Sequence, residues 1–158
     1  MRFGSLRRAA IALVVALTGC EPDTSATLEA AVENPVLAVE PSALVAELSG
    51  AFDLVLSLGQ YSPEATSVTP GAFSIQRGGV EIVGGSGFEP IDAGVPVTIG
   101  PGETRRIAYS IEREVELDVA ETLCEGSVAI LGSIQDSLSE RPRSLSSGAF
   151  AATCDSIR

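Results

Sequence analysis

The sequence predicts an all-β protein, an antiparallel β-sandwich of about eight strands. Three observations carry this. Beyond residue 35, short apolar runs alternate with polar residues at period two. Turn-forming Gly, Pro, Asn and Asp separate those runs. No helical periodicity longer than a turn follows Cys20. A small β-barrel is the alternative architecture that the same pattern allows.

The chain opens differently. Arg2, Arg7 and Arg8 precede an unbroken apolar run over residues 9–17, which ends in Leu17-Thr18-Gly19-Cys20. A basic start, an apolar core and small residues form the plan of a secretory signal peptide. The run is far shorter than the roughly 20 residues that a membrane span needs. The last four residues resemble the lipobox of bacterial lipoproteins. That resemblance implies cleavage after Gly19 and acylation of Cys20 with palmitate-type chains. Each buried methylene would contribute about 0.8 kcal/mol, so several chains would hold the protein at a membrane. It also implies an outer-membrane address in the cell envelope, because Glu21 stands where inner-membrane lipoproteins often carry aspartate. The expected organisation is a signal peptide at 1–19, a lipid-anchored linker at 20–34 and a β-sandwich domain at 35–158.

Composition narrows the chemistry. The residues left after position 19 suit one domain. They carry all 21 acidic residues against seven arginines, and no lysine. Such a surface repels nucleic acid, so none is expected as a partner. The absence of histidine excludes the usual Ser-His-Asp and Cys-His mechanisms and removes the commonest transition-metal ligand. There is no tryptophan, and six scattered aromatics after Cys20 make no stacking platform for sugars or bases. The chain therefore reads as a non-enzyme, with no cofactor and no metal site. Of its three cysteines, lipidation would use Cys20. Cys124 and Cys154 remain, in an oxidising compartment, and are expected to form a disulfide.

Residues 21–33 are polar and small, and read as the tether, with a helix-like spacing of Leu28, Ala31 and Val32. Residues 36–39, between Pro35 and Pro41, and residues 44–48 are apolar runs. Phe52, Leu54, Leu56 and Leu58 then alternate clearly, up to the turn at Gly59 and Tyr61-Ser62-Pro63-Glu64. Gly78-Gly79 between two alternating runs predicts a tight hairpin. Pairing Arg77 with Val80 sets Ile75 opposite Ile82. Gly84-Gly85-Ser86-Gly87 is a connector, since no helix pattern follows to make it a phosphate loop. Val95, Val97 and Ile99 form a run that Pro96 marks as an edge strand or a strand end. Ile107, Tyr109 and Ile111 follow the Gly100-Pro101-Gly102-Glu103 turn. Direct pairing across that turn mismatches the faces, so either a bulge intervenes or the two strands lie in different sheets.

Glu112, Glu114, Glu116 and Asp118 would share one face of an extended chain, a candidate Ca²⁺ surface or a solvated strand face. Asp118, Ala120 and Cys124 carry the Asp-x-Ala-x-x-x-Cys spacing that resembles the approach to the second cysteine of immunoglobulin domains, with Thr122 where that family has its corner tyrosine. The alternating strands and the length also resemble bacterial immunoglobulin-like domains. Folding back near Ser139 sets Cys124 opposite Cys154 and Val128 opposite Phe150. A disulfide there closes a loop of about 30 residues, worth roughly 3–4 kcal/mol. The turn would present Glu140, Arg141 and Arg143 as an interaction tip.

The first functional reading is a membrane-anchored envelope lipoprotein, held at the membrane through lipid on Cys20. Its domain would be a non-catalytic structural or protein-interaction module, with another envelope protein as partner. The alternatives are a Ca²⁺ or small-ligand module built on the acidic stripe, and an envelope hydrolase working through paired carboxylates.

Overall fold

The computed structural model describes residues 26–91, 93–139 and 141–155. The expected signal peptide, Cys20 and Glu140 lie outside these residues. Two sheets face each other as a sandwich, and no barrel closes. In chain order the strands are β1 Leu28–Pro41, β2 Val45–Leu58, β3 Thr66–Pro70, β4 Ser74–Arg77, β5 Val80–Gly84, β6 Phe88–Pro90, β7 Val97–Ile99 and β8 Thr104–Glu116. Helix α1, Leu117–Cys124, follows, and then β9 Ser127–Asp136, β10 Arg143–Ser146, β11 Phe150–Ala151 and β12 Thr153–Cys154. The first sheet has the order β12-β1-β2-β8-β6. In the second, β9 has β3 and β4 along one edge and β10 and β11 along the other; β7 and β5 lie outside β3 and β4.

β2 is the spine of the first sheet, registered with β1 on one side and β8 on the other. Its alternation is the physical reason: Ala46, Leu48, Phe52, Leu54, Leu56 and Leu58 point inward and are almost wholly buried. β1 starts at Leu28, inside the stretch expected as linker up to residue 34. Leu28, Ala30 and Val32 do alternate, but alanine and glutamate have poor β-propensity, and pairing with Leu58, Leu56 and Leu54 decides the outcome. A bulge at Asn34 and Pro35 adds one residue, with Asn34 at φ 51°. It moves the inward parity from Leu28 and Val32 to Leu37 and Val39, so both halves still face the core.

Several other expectations shift by local chemistry. The two runs 36–39 and 44–48 are parts of the β1–β2 hairpin, closed by Ser42, whose N–H and hydroxyl both donate to the Val45 carbonyl. The Gly78-Gly79 turn pairs Arg77 with Val80 as expected, but a bulge then sets Ile75 opposite Val83 rather than Ile82. β7 and β8 lie in different sheets, and β7 is an edge strand. The alternation after residue 116 gives way to α1, where Ala120 and Leu123 are buried at a helical spacing of three. The immunoglobulin-like spacing 118–124 is thus helix rather than the entry to a strand. Arg77 closes the helix end, donating to the Thr122 carbonyl at 3.0 Å and to Glu125 at 2.9 Å.

Val128 pairs with Phe150 in the expected register, and the sulfurs of Cys124 and Cys154 are bonded, with Cα atoms 6.0 Å apart. The two cysteines are not cross-strand neighbours of one hairpin, however. Cys124 ends α1, while Cys154 lies in β12, which has crossed to the first sheet and pairs parallel with β1 at Ala38 and Val39.

The core is held across the sandwich by aromatics. Phe52 on β2 stacks on its neighbour Tyr109 on β8, with centroids 4.9 Å apart. Phe73, in the break between β3 and β4, meets them at 4.9 and 5.0 Å. Gly132 on β9 makes room: a Cβ there would stand 2.3 Å from the Phe73 ring. Gly132→Ala should therefore destabilise the domain by about 1–3 kcal/mol through overpacking. Urea unfolding of the purified domain would read this as a lower midpoint at unchanged slope.

Candidate functional site

The register of β1, β2 and β8 lays out the exposed face of the first sheet row by row. From the β1 start the rows are Glu29–Ser57–Thr104, Ala31–Val55–Arg106, Glu33–Asp53–Ala108, Val36–Ala51–Ser110, Ala38–Ser49–Glu112 and Glu40–Glu47–Glu114. The two ends of this face are electrostatically different. Near the β1 start, Arg106 reaches across the strands to Asp53 at 2.7 Å and Glu33 at 2.8 Å, and the Asn34 amide donates to Asp53 at 2.9 Å. These bonds, the Asn34 one first, hold the Asp53 carboxyl below its ordinary value of 3.8.

At the other end Glu40, Glu47 and Glu114 stand directly opposite one another on three strands, with Glu112 and Glu116 beside them on β8. Among the described residues no ion pair reaches these five. Between the two ends the row Val36–Ala51–Ser110 carries no charge.

This arrangement revises the acidic stripe. Glu112, Glu114 and Glu116 share the exposed face of β8, but Asp118 belongs to α1. Glu40 and Glu47 extend the patch sideways, which depends on a register that one strand's sequence does not reveal. Among the described residues no group of three or more carboxylates or cysteines converges in a metal-holding arrangement.

The expected tip at Glu140, Arg141 and Arg143 is also revised. Arg141 is exposed. Arg143 is not at a tip: on β10 it pairs with the buried Asp136 at 2.9 Å and donates to the Leu28 carbonyl, clamping the β1 start to the second sheet. Asp136 is fixed as well by the Leu138 N–H at 2.9 Å. Breaking that pair would leave a carboxylate buried without its counter-charge.

The remaining arginines of the described residues are used in the same structural way. Arg113 donates to the Gly84 and Ser86 carbonyls and holds the loop between β5 and β6, and Arg105 pairs with Glu103 at 2.6 Å. Phe52, Phe73 and Tyr109 are buried in the core, where they cannot serve as an exposed stacking surface. No helix of the described residues is long and apolar enough to cross a membrane. The sequence matches no protein-family model and no curated protein.

Two measurements follow from the electrostatics. Like charges opposed on neighbouring strands are destabilising, so Glu47→Gln should stabilise the domain by roughly 0.2–1 kcal/mol. The gain should shrink when thermal unfolding is repeated at about 1 M salt. Asp53 works in the opposite sense. Its carboxyl is depressed in the folded state, so its contribution is present above the unfolded value and lost as pH falls through the folded one. Asp53→Asn should lower Tm near neutral pH, and the gap from wild type should close below about pH 4.

Proposed function

We propose that this protein is a lipid-anchored lipoprotein of the bacterial cell envelope whose β-sandwich is a non-catalytic structural or protein-interaction module. One observation carries the reading: Cys20 stands in Leu-Thr-Gly-Cys immediately after a basic, apolar leader. The accounting of cysteines agrees with it, because Cys124 and Cys154 are bonded to each other and Cys20 is the one left over. Among the described residues the first strand begins at Leu28, a short step in sequence from the proposed anchor. The absence of histidine and the structural use of the arginines favour a surface that binds rather than one that reacts. Glu21 next to the cysteine favours an outer-membrane address. The acidic end of the exposed sheet face is suited to a partner of opposite charge.

The test compares wild type with Cys20→Ala in cells fed a clickable palmitate analogue. The wild type should incorporate the label and float with membranes, and the variant should do neither. Label-free wild type would remove the anchor. Crosslinking in intact envelopes should then recover a near-stoichiometric protein with the anchored form alone, and its absence would remove the assembly role.

A further inference from the structure

We infer that the domain stands upright on the bilayer, meeting the headgroups with the end at which β1 begins. This deepens the proposed function and rests on its lipid anchor. Leu28 follows Cys20 by eight Cα-to-Cα steps. At about 3.3–3.6 Å each they reach no more than about 29 Å when fully extended. The β1–β2 hairpin, 14 residues long on each strand, runs about 45 Å from end to end. The tether is therefore shorter than the domain it holds. The β1 start must stay near the membrane, and the Ser42–Leu44 turn can approach it only if the domain lies down.

The side chains resist that posture. Lying on the exposed face of the first sheet would press Glu40, Glu47, Glu112, Glu114 and Glu116 against phosphate headgroups, which repel them. The tether end is built differently. Three turns gather there, joined by bonds from the Gly59 N–H to the Thr27 carbonyl, the Gly102 N–H to the Leu58 carbonyl and the Ser137 N–H to the Ser67 carbonyl. Arg105, Arg106, Arg141 and Arg143, four of the six arginines among the described residues, lie at this end. Three of them hold the carboxylates of Glu103, Glu33, Asp53 and Asp136 in ion pairs.

Glu29 and Glu64 are the other carboxylates there among the described residues. Two large apolar side chains project from the turns, Tyr61 at 59% exposure and Leu138 at 40%. Tyrosine favours the membrane–water boundary, where its ring is sheltered and its hydroxyl stays wet. Tyr61 and Leu138 are thus the contacts with the headgroup layer, and Arg141 is the contact with its phosphates.

The experiment uses the full acylated chain in vesicles of phosphatidylethanolamine and phosphatidylglycerol doped with an acceptor lipid. A donor dye is placed on Pro101→Cys at the tether end or on Ala43→Cys at the far turn, both exposed. Energy transfer from position 101 should exceed that from position 43 several-fold. Equal transfer in floating vesicles would overturn the upright posture while leaving the anchor intact. Protein that fails to float would overturn the anchor, and this inference with it. Combining Tyr61→Ser, Leu138→Ser and Arg141→Glu should narrow the difference between the two dyes; an unchanged difference would overturn the assigned contacts.

Discussion

Phe52, Phe73 and Tyr109 tie the two sheets together, and the surrounding backbone is shaped so that they can meet. Phe52 and Tyr109 reach the core simply by occupying inward positions of adjacent strands. Phe73 does so by interrupting a strand: β3 and β4 run along the same edge of β9, with residues 71–73 between them. The break is accommodated twice. Gly132 leaves space for the ring, and the Gly71 N–H reaches the Ser133 carbonyl at 2.7 Å so that the ladder resumes. An aromatic trio of this kind adds geometry to area, because tilted and offset rings prefer defined separations. It fixes where the sheets lie over one another, and with that the position of every exposed row on the first sheet.

The parts of the fold that could be read from the chain are those where one residue pattern decides the outcome. Phe52, Leu54, Leu56 and Leu58 alternate over seven residues, and their strand is buried on the expected face. Val128 and Phe150 pair as expected because apolar parity and loop length agree. The parts that could not be read depend on partners distant in sequence. Leu28 to Val32 looks like a tether until β2 is laid beside it. The bulge at Asn34 and Pro35 reverses parity, so that one long strand reads as a tether followed by a short apolar run. After Glu116 the same glutamate-rich pattern suits either strand or helix, and burial of Ala120 and Leu123 selects the helix.

The exposed face shows the same limit. Glu112, Glu114 and Glu116 were visible as a stripe, but their neighbours Glu40 and Glu47 come from a hairpin some 70 residues earlier in the chain. Arg143 was expected at a surface tip because it sits in a charged, proline-containing turn. Its guanidinium instead finds Asp136 and the Leu28 carbonyl, and the charge that looked available for a partner is spent inside the molecule.

The pairing of β12 with β1 also has a consequence for how the domain is made. Strand β1 depends on two residues far along the chain, Thr153 and Cys154, to cover part of its outer edge. A chain that emerges N-terminus first, from a ribosome or through a secretion pore, presents that edge long before its cover arrives. Only when residues 153 and 154 come free can the edge be covered and Cys124 find its partner. Completion of the first sheet is therefore coupled to delivery of residues 153 and 154. A molecule stalled in transit would expose a strand edge ready to pair with its neighbours.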